Sequence, residues 1–133
     1  MQYLKQNSPK IIVIEYNELA KIDNNMPYSI LFCIDTEISY EQLDNFNEEL
    51  NSNCKEILFF GQNSEQLNDY FDETIEEKGL TDIITSFFNE ETFEVVWHYF
   101  LNVSGSNVNY LIVIADNEKS FINKYELITH SLY

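Results

Sequence analysis

The sequence predicts an α/β fold: a three-layer sandwich with a mostly parallel sheet of four to five strands and helices on both faces. Three observations carry the prediction. The runs Ile30-Leu31-Phe32-Cys33-Ile34 and Ile57-Leu58-Phe59-Phe60 are apolar without alternation, as expected of parallel strands covered on both sides. Each is followed by helical periodicity, Leu43, Phe46 and Leu50 in one case and Leu67, Tyr70, Phe71 and Ile75 in the other. Strands begin near residues 29, 56, 82 and 109, and a spacing of about 27 residues is the length of a strand with its right-handed helical crossover. A chain of 133 residues reads as one domain over 1–133, large enough to bury roughly two-thirds of its unfolded surface.

Ile11 to Ile14 is a short β-branched run, expected as a strand at an edge. Tyr16 to Asn25, with Leu19, Ala20 and Ile22, allows one or two helical turns, ended by Asn24-Asn25 and Pro27. The strand Ser29 to Ile34 leads to a helix over about Ser39 to Ser52, where Ser39 and Gln42 stand in the capping-box relation. The strand Glu56 to Phe60 leads to a helix over Ser64 to Lys78, with Asn63 placed to cap the amide of Gln66 and Gly79 placed for the left-handed stop. Thr81 to Phe88 is less uniformly apolar and so is expected as a strand nearer an edge.

Asn89 is expected to cap a third helix with Glu90 and Glu91 in its first turn, where the helix dipole favours acids. Its inward face is Phe93, Val96, Trp97, Phe100 and Leu101. Ser104-Gly105-Ser106-Asn107 is a turn, Tyr110 to Ala115 a buried strand, and Asp116 or Asn117 opens a last helix with Phe121, Ile122, Tyr125 and Ile128 inward. Together these elements describe a small flavodoxin-like or Rossmann-like architecture.

Composition excludes several functions. Ten Phe, nine Tyr and one Trp argue against disorder despite a net charge of −16. Arginine is absent, and the seven cations, Lys5, Lys10, Lys21, Lys55, Lys78, Lys119 and Lys124, are scattered singly. A surface that neutralises phosphates needs clustered cations, so direct binding to nucleic acid or to an anionic membrane is not expected. Met1 to Lys10 lacks a signal-peptide core, no apolar stretch approaches the roughly 20 residues of a membrane span, and Cys33 and Cys54 read as small buried hydrophobes. A cytoplasmic protein is the expectation.

Pro27-Tyr28 before a strand ended by Asp35, Cys54 before a strand ended by Phe60-Gly61, Asp69-Tyr70-Phe71-Asp72-Glu73, and Glu94-Val95-Val96-Trp97-His98-Tyr99-Phe100-Leu101-Asn102 carry a resemblance. Over roughly Pro27 to Ala115 the chain resembles a family of small uncharacterised bacterial α/β proteins of unknown function. The resemblance implies the fold and assigns no site residue.

Ligands of an open parallel sheet bind beyond the carboxyl ends of its strands. The expected residues there include Asp35, Asn63, Ser86 and Asp116, candidates for a small-molecule or nucleotide enzyme. Asp35 with Asp116 has the chemistry to hold Mg²⁺ through carboxylates and waters, although Asn63 and Asp116 also stand where helix caps stand. No glycine-rich phosphate loop occurs among only three glycines, Gly61, Gly79 and Gly105. His98 falls on a helix flank and Cys33 lies inside a strand, so nucleophilic catalysis has no support and no cofactor is expected.

Charge is distributed unevenly. From Asp35 to Glu77 there are thirteen acids and one lysine, Lys55, which is twelve of the sixteen net negative charges. Glu41, Asp44 and Glu48 form one stripe, and Glu65, Asp69, Asp72, Glu73 and Glu76 form another. Like charges at i, i+4 cost a helix roughly 0.2–0.5 kcal/mol each. Solubility alone is the simpler explanation, yet it requires neither the concentration nor the lack of interspersed lysine. The stripes point to a non-enzymatic acidic protein that engages a basic surface on a partner, of inhibitor, immunity or counter-defence type. Exposed aromatics such as Tyr40 or Tyr99 would supply specificity. The reading requires the two helices to share one face of the sheet, so that their stripes merge.

Overall fold

The computed structural model describes residues 2–16, 18, 24–37 and 39–131. The helical turns expected around Leu19, Ala20 and Ile22 lie outside them, as do the side chains of Tyr40, Ile128 and His130. Among the described residues six strands, β1 (Gln2–Lys5), β2 (Lys10–Glu15), β3 (Tyr28–Cys33), β4 (Cys54–Phe60), β5 (Ile84–Phe88) and β6 (Tyr110–Ala115), accompany four helices. These are α1 (Tyr40–Glu49), α2 (Ser64–Lys78), α3 (Phe93–Tyr99, prolonged by a π-helical turn over Phe100–Ser104) and α4 (Glu118–Ser131).

The strands form one sheet in the order β1-β2-β6-β3-β4-β5. β1 runs antiparallel to β2, and every other neighbouring pair is parallel. The fold is therefore α/β with a mostly parallel sheet, but the sheet has six strands where four to five were expected. Strand β1 accounts for the difference. Its polar sequence carries no strand signal because backbone pairing to β2 places it, and of its side chains only Leu4 is partly buried. β2 accordingly lies inside the sheet, between β1 and β6, and not at an edge.

Strand residues alternate faces, and the core divides accordingly into two clusters. Ile12, Ile30, Phe32, Ile57, Phe59 and Ile112 pack with Leu43 and Phe46 of α1 and with Leu67, Phe71 and Ile75 of α2. Ile11, Leu31, Leu58, Leu111 and Val113 pack with Val96, Trp97 and Phe100 of the α3 segment and with Phe121 of α4. Phe71 sits at the centre of the first cluster, its ring centroid 5.1 Å from Phe32, 5.3 Å from Phe59 and 5.6 Å from Phe46.

Local hydrogen bonds correct several sequence expectations. Ser39 caps α1, its hydroxyl accepting from the Gln42 amide at 3.3 Å, and Gly79 ends α2 at φ 70°, both as expected. Asn63 makes no side-chain cap. Thr92, not Asn89, caps α3 by accepting from Val95 N–H, which leaves Glu90 and Glu91 ahead of the helix. β5 starts at Ile84 and not Thr81, because Ile83 N–H closes a turn onto Leu80 O at 3.2 Å.

Truncating the central ring should dominate stability. Phe71→Ala is expected to cost about 3–5 kcal/mol in urea unfolding, and Val95→Ala, at a side chain 57% exposed, no more than about 0.5 kcal/mol. A smaller loss for Phe71 than for Val95 would contradict this packing.

Candidate functional site

The eight acids of the two stripes, Glu41, Asp44, Glu48, Glu65, Asp69, Asp72, Glu73 and Glu76, are all exposed. Their helices lie side by side. Asn47 Nδ2 donates to Thr74 Oγ1 at 3.1 Å, the Tyr70 hydroxyl donates to Asp44 Oδ1, and Lys78 Nζ donates to the carbonyls of Asn47 and, at 3.0 Å, of Leu50. Tyr70, Thr74 and Lys78 therefore mark the flank of α2 turned toward α1. Asp72 marks the opposite flank: its Oδ1 accepts from Thr85 Oγ1 on β5 at 2.5 Å, and its Oδ2 accepts from Asn68 Nδ2 at 3.0 Å.

At about 3.6 residues per turn, Glu65, Asp69 and Glu76 share the flank of Asp72, while Glu73 points outward between the two flanks. On α1 the same geometry sets Glu41 and Glu48 outward, next to Asp44, which faces α2. The stripes merge into one surface that begins at the seam between the helices and ends beside β5. Nearby lysines are turned elsewhere. Lys78 sits on the last carbonyls of α1, where positive charge complements the helix dipole, and Lys55 Nζ reaches Ser52 O at 3.3 Å.

Tyr99 does not belong to an exposed recognition surface. It is half-buried, and its hydroxyl donates to Oε1 of the buried Glu56 at 2.9 Å. Burial, with the Glu56 carboxylate, pushes its phenol above the ordinary value.

The second group of candidates converges only in part. Asp116 Oδ2 accepts from the backbone N–H of Asp35 at 2.7 Å, and its Oδ1 accepts from Thr36 Oγ1 at 2.8 Å. Asn63 Nδ2 donates to Thr36 O at 3.4 Å. Gly61, at φ 120°, makes the approach possible, because a Cβ there would stand 2.8 Å from Asp35 Oδ1 and 3.2 Å from Ile34 O. Asp35, Asn63 and Asp116 thus gather where the chain leaves β3 for α1 and β6 for α4.

Ser86 is absent from this cluster. It sits in mid-β5, in register with Leu58 and two residues before the strand ends at Phe88.

Thr36, which follows Asp35 at the strand's expected carboxyl end, and Lys124 complete the cluster; Lys124 was not singled out from sequence. Lys124 Nζ lies 3.8 Å from Asp35 Oδ2 and 6.0 Å from the rings of Phe60 and Phe93. The signal for it was present, since it stands between the inward Phe121 and Tyr125 on α4. Both Asp116 oxygens are engaged by the β3 exit and Lys124 supplies the cation beside Asp35, so this pair does not fit a Mg²⁺ ion. Among the described residues no group of three or more His, Cys, Asp or Glu could hold a metal ion.

Beside the cluster, a cleft of about 410 Å³ opens between the first turns of α1 and α2, lined in part by Thr36, Glu37, Ser39, Asn63 and Gln66. Two helix N-termini favour an anion there, and the surrounding carboxylates oppose one. Cys33 lies beside the cluster, yet both thiols are inert. Burial pushes the Cys33 thiol far above its ordinary value and that of Cys54 up to about 12, and His98 is exposed.

Residues 2–127 match the family described as Domain of unknown function (DUF7684), and the chain belongs to that family. No curated protein matches the chain. Among the described residues, no helix is long and apolar enough to cross a membrane.

Two outcomes test this geometry. Asp116→Ala should speed hydrogen exchange at the Asp35 amide and lower stability by roughly 1–3 kcal/mol; unchanged exchange would show that the carboxylate does not hold the loop. Burial favours the neutral thiol of Cys54, so its contribution to stability is complete below the ordinary value of 9.0 and is lost as pH rises toward about 12. A thiol reagent at about pH 8 should therefore label neither Cys33 nor Cys54 until the protein unfolds, and rapid labelling of the native protein would refute their burial.

Proposed function

We propose that this member of a family of unknown function is a non-enzymatic acidic binding protein that engages a basic surface of a partner protein. The observation that supports the reading is the union of the α1 and α2 stripes. Glu41, Asp44, Glu48, Glu65, Asp69, Asp72, Glu73 and Glu76 lie on two adjacent helices packed into the same core cluster, with the intervening cations turned onto backbone carbonyls.

Like charges in such density raise the energy of the free protein, and an oppositely charged partner relieves that repulsion on binding. Charge of this kind accelerates encounter and fixes orientation more than it adds raw affinity. An acidic face of this sort competes for sites that bind phosphates, which suits an inhibitor, an immunity protein or a counter-defence protein directed at a nucleic-acid-handling enzyme. The reading takes residues 1–133 as one small flavodoxin-like α/β domain with helices on both faces. It places the protein in the cytoplasm, where the buried free thiols of Cys33 and Cys54 stay reduced.

A second reading, a small-molecule or nucleotide enzyme acting at the carboxyl ends of the strands, is favoured by the convergence of Asp35, Asn63 and Asp116 beside the cleft. It predicts that a nucleotide shifts the amide signals of Thr36 and Asn63 in a nuclear magnetic resonance titration.

The principal reading is tested with the partner captured from the native host at low salt. Affinity should weaken by at least about tenfold between about 50 and about 500 mM salt. Reversal of Glu65, Asp69, Glu73 and Glu76 to lysine should abolish binding. Asp44 and Asp72 are kept because they hold Tyr70 and Thr85. Binding indifferent to both salt and reversal would rule the reading out.

A further inference from the structure

β5 ends the sheet: it pairs with β4 on one side and, among the described residues, with no strand on the other. The opposite edge is blunted. β1 is four residues long, finishes in Lys5 and breaks register between Tyr3 and Lys5, all devices that discourage strand addition. Ile84-Thr85-Ser86-Phe87-Phe88 has no charge, no proline and no register break.

The polar groups that β5 presents can be assigned. Phe88 O accepts from Gly61 N–H at 3.2 Å on the β4 side. Successive residues of a strand direct their N–H and C=O to alternate sides, so those of Thr85 and Phe87 point away from the sheet. Side chains at this edge are also accessible, with Ile84 61% and Phe87 40% exposed. Beside the edge, on the Thr85 face, runs the flank of α2 that carries Glu65, Asp69, Asp72 and Glu76, fixed there by the bond between Thr85 and Asp72. On the other face the edge offers the apolar groups of Ile84 and Phe88: Ile84 is in register with Glu56, buried and bonded to the Tyr99 hydroxyl, and the Phe88 ring lies 6.0 Å from that of Tyr99.

We infer that β5 is the docking edge for an extended basic segment of the partner, added to the sheet as a further strand. Its backbone pairs with Thr85 and Phe87. Its side chains alternate, lysine or arginine toward the acidic flank of α2 and apolar residues toward Ile84 and Phe88. The inference rests on the reading of the acidic surface as a recognition surface, and adds to it the conformation and sequence pattern of what is recognised. Charge complementarity selects this occupant over a second copy of the chain, which would bring a further net charge of −16 and no arginine against the same flank.

The probe is a synthetic peptide of about ten residues alternating Lys and Val, compared with one alternating Lys and Pro, equal in charge but unable to form a strand ladder. The Lys-Val peptide should bind at least about tenfold more tightly than the Lys-Pro peptide, and should slow hydrogen exchange at the Thr85 and Phe87 amides. Phe87→Pro removes an N–H that β4 does not use, a substitution edge strands tolerate, and should abolish the preference, whereas Phe87→Ala should retain it. If Phe87→Pro does not fold, Ile84→Lys, which sets a cation on the edge, should give the same loss. Equal, salt-sensitive binding of both peptides overturns the docking edge and leaves the acidic-surface reading standing. Binding of neither peptide overturns the edge and weakens that reading with it. A preference that survives Phe87→Pro, or Ile84→Lys in its place, also overturns the edge.

Discussion

Parallel strands cannot be joined by a tight turn, and the crossover that joins them has one favoured hand. This constraint places the charges of the protein. β3, β4 and β5 are laid down in one direction across the sheet, so α1 and α2 pack into the same cluster, with Phe32, Phe59 and Phe71 between them and the strands. The return from β5 to β6 reverses direction, and the α3 segment and α4 pack into the other cluster, around Trp97 and Phe121. Two helices with outward acids are thereby set next to each other. The acidic surface is a consequence of strand order as much as of sequence.

Adjacent acidic helices need contacts that offset their repulsion, and the seam supplies them. Tyr70 donates to Asp44, Asn47 to Thr74, and Lys78 to the carbonyls that end α1. These bonds satisfy helix-end acceptors without neutralising the outer carboxylates, so packing and electrostatics are separated on the two sides of each helix. At the other end of the sheet the exits of β3 and β6 are tied by Asp116 and held close by Gly61. That cluster is internally satisfied, with Lys124 serving Asp35. Its groups explain how two loops are joined, whereas the carboxylates of α2 have a cost and, among the described residues, no structural partner beyond Thr85 and Asn68 on Asp72.

The parts of the fold legible in the sequence are those set by burial. The apolar runs of β3, β4 and β6 and the inward faces of α1 and α2 follow from periodicity, and α2 ends at Gly79 because only a left-handed stop fits there. Features decided by single hydrogen bonds were not legible. Asn89 and Thr92 are both good caps, and the chain uses Thr92. Asn63 has the chemistry of a cap and instead reaches across to Thr36. β1 exists only as a backbone partner of β2, and a turn at Leu80 to Ile83 moved the start of β5. The eight acids were legible as stripes, but their union required knowing that no strand separates β3, β4 and β5.

The central claim is that the position of these charges matters, not their number. A charge-matched comparison tests it most directly. One variant reverses Glu65, Asp69, Glu73 and Glu76 to lysine, and another reverses the equally exposed Glu90, Glu91, Glu94 and Glu126. Affinity for the captured partner, measured by calorimetry at one salt concentration, should be lost in the first variant and kept within about threefold in the second. Equal losses in the two would show that the acids act only through net charge, and would contradict the account.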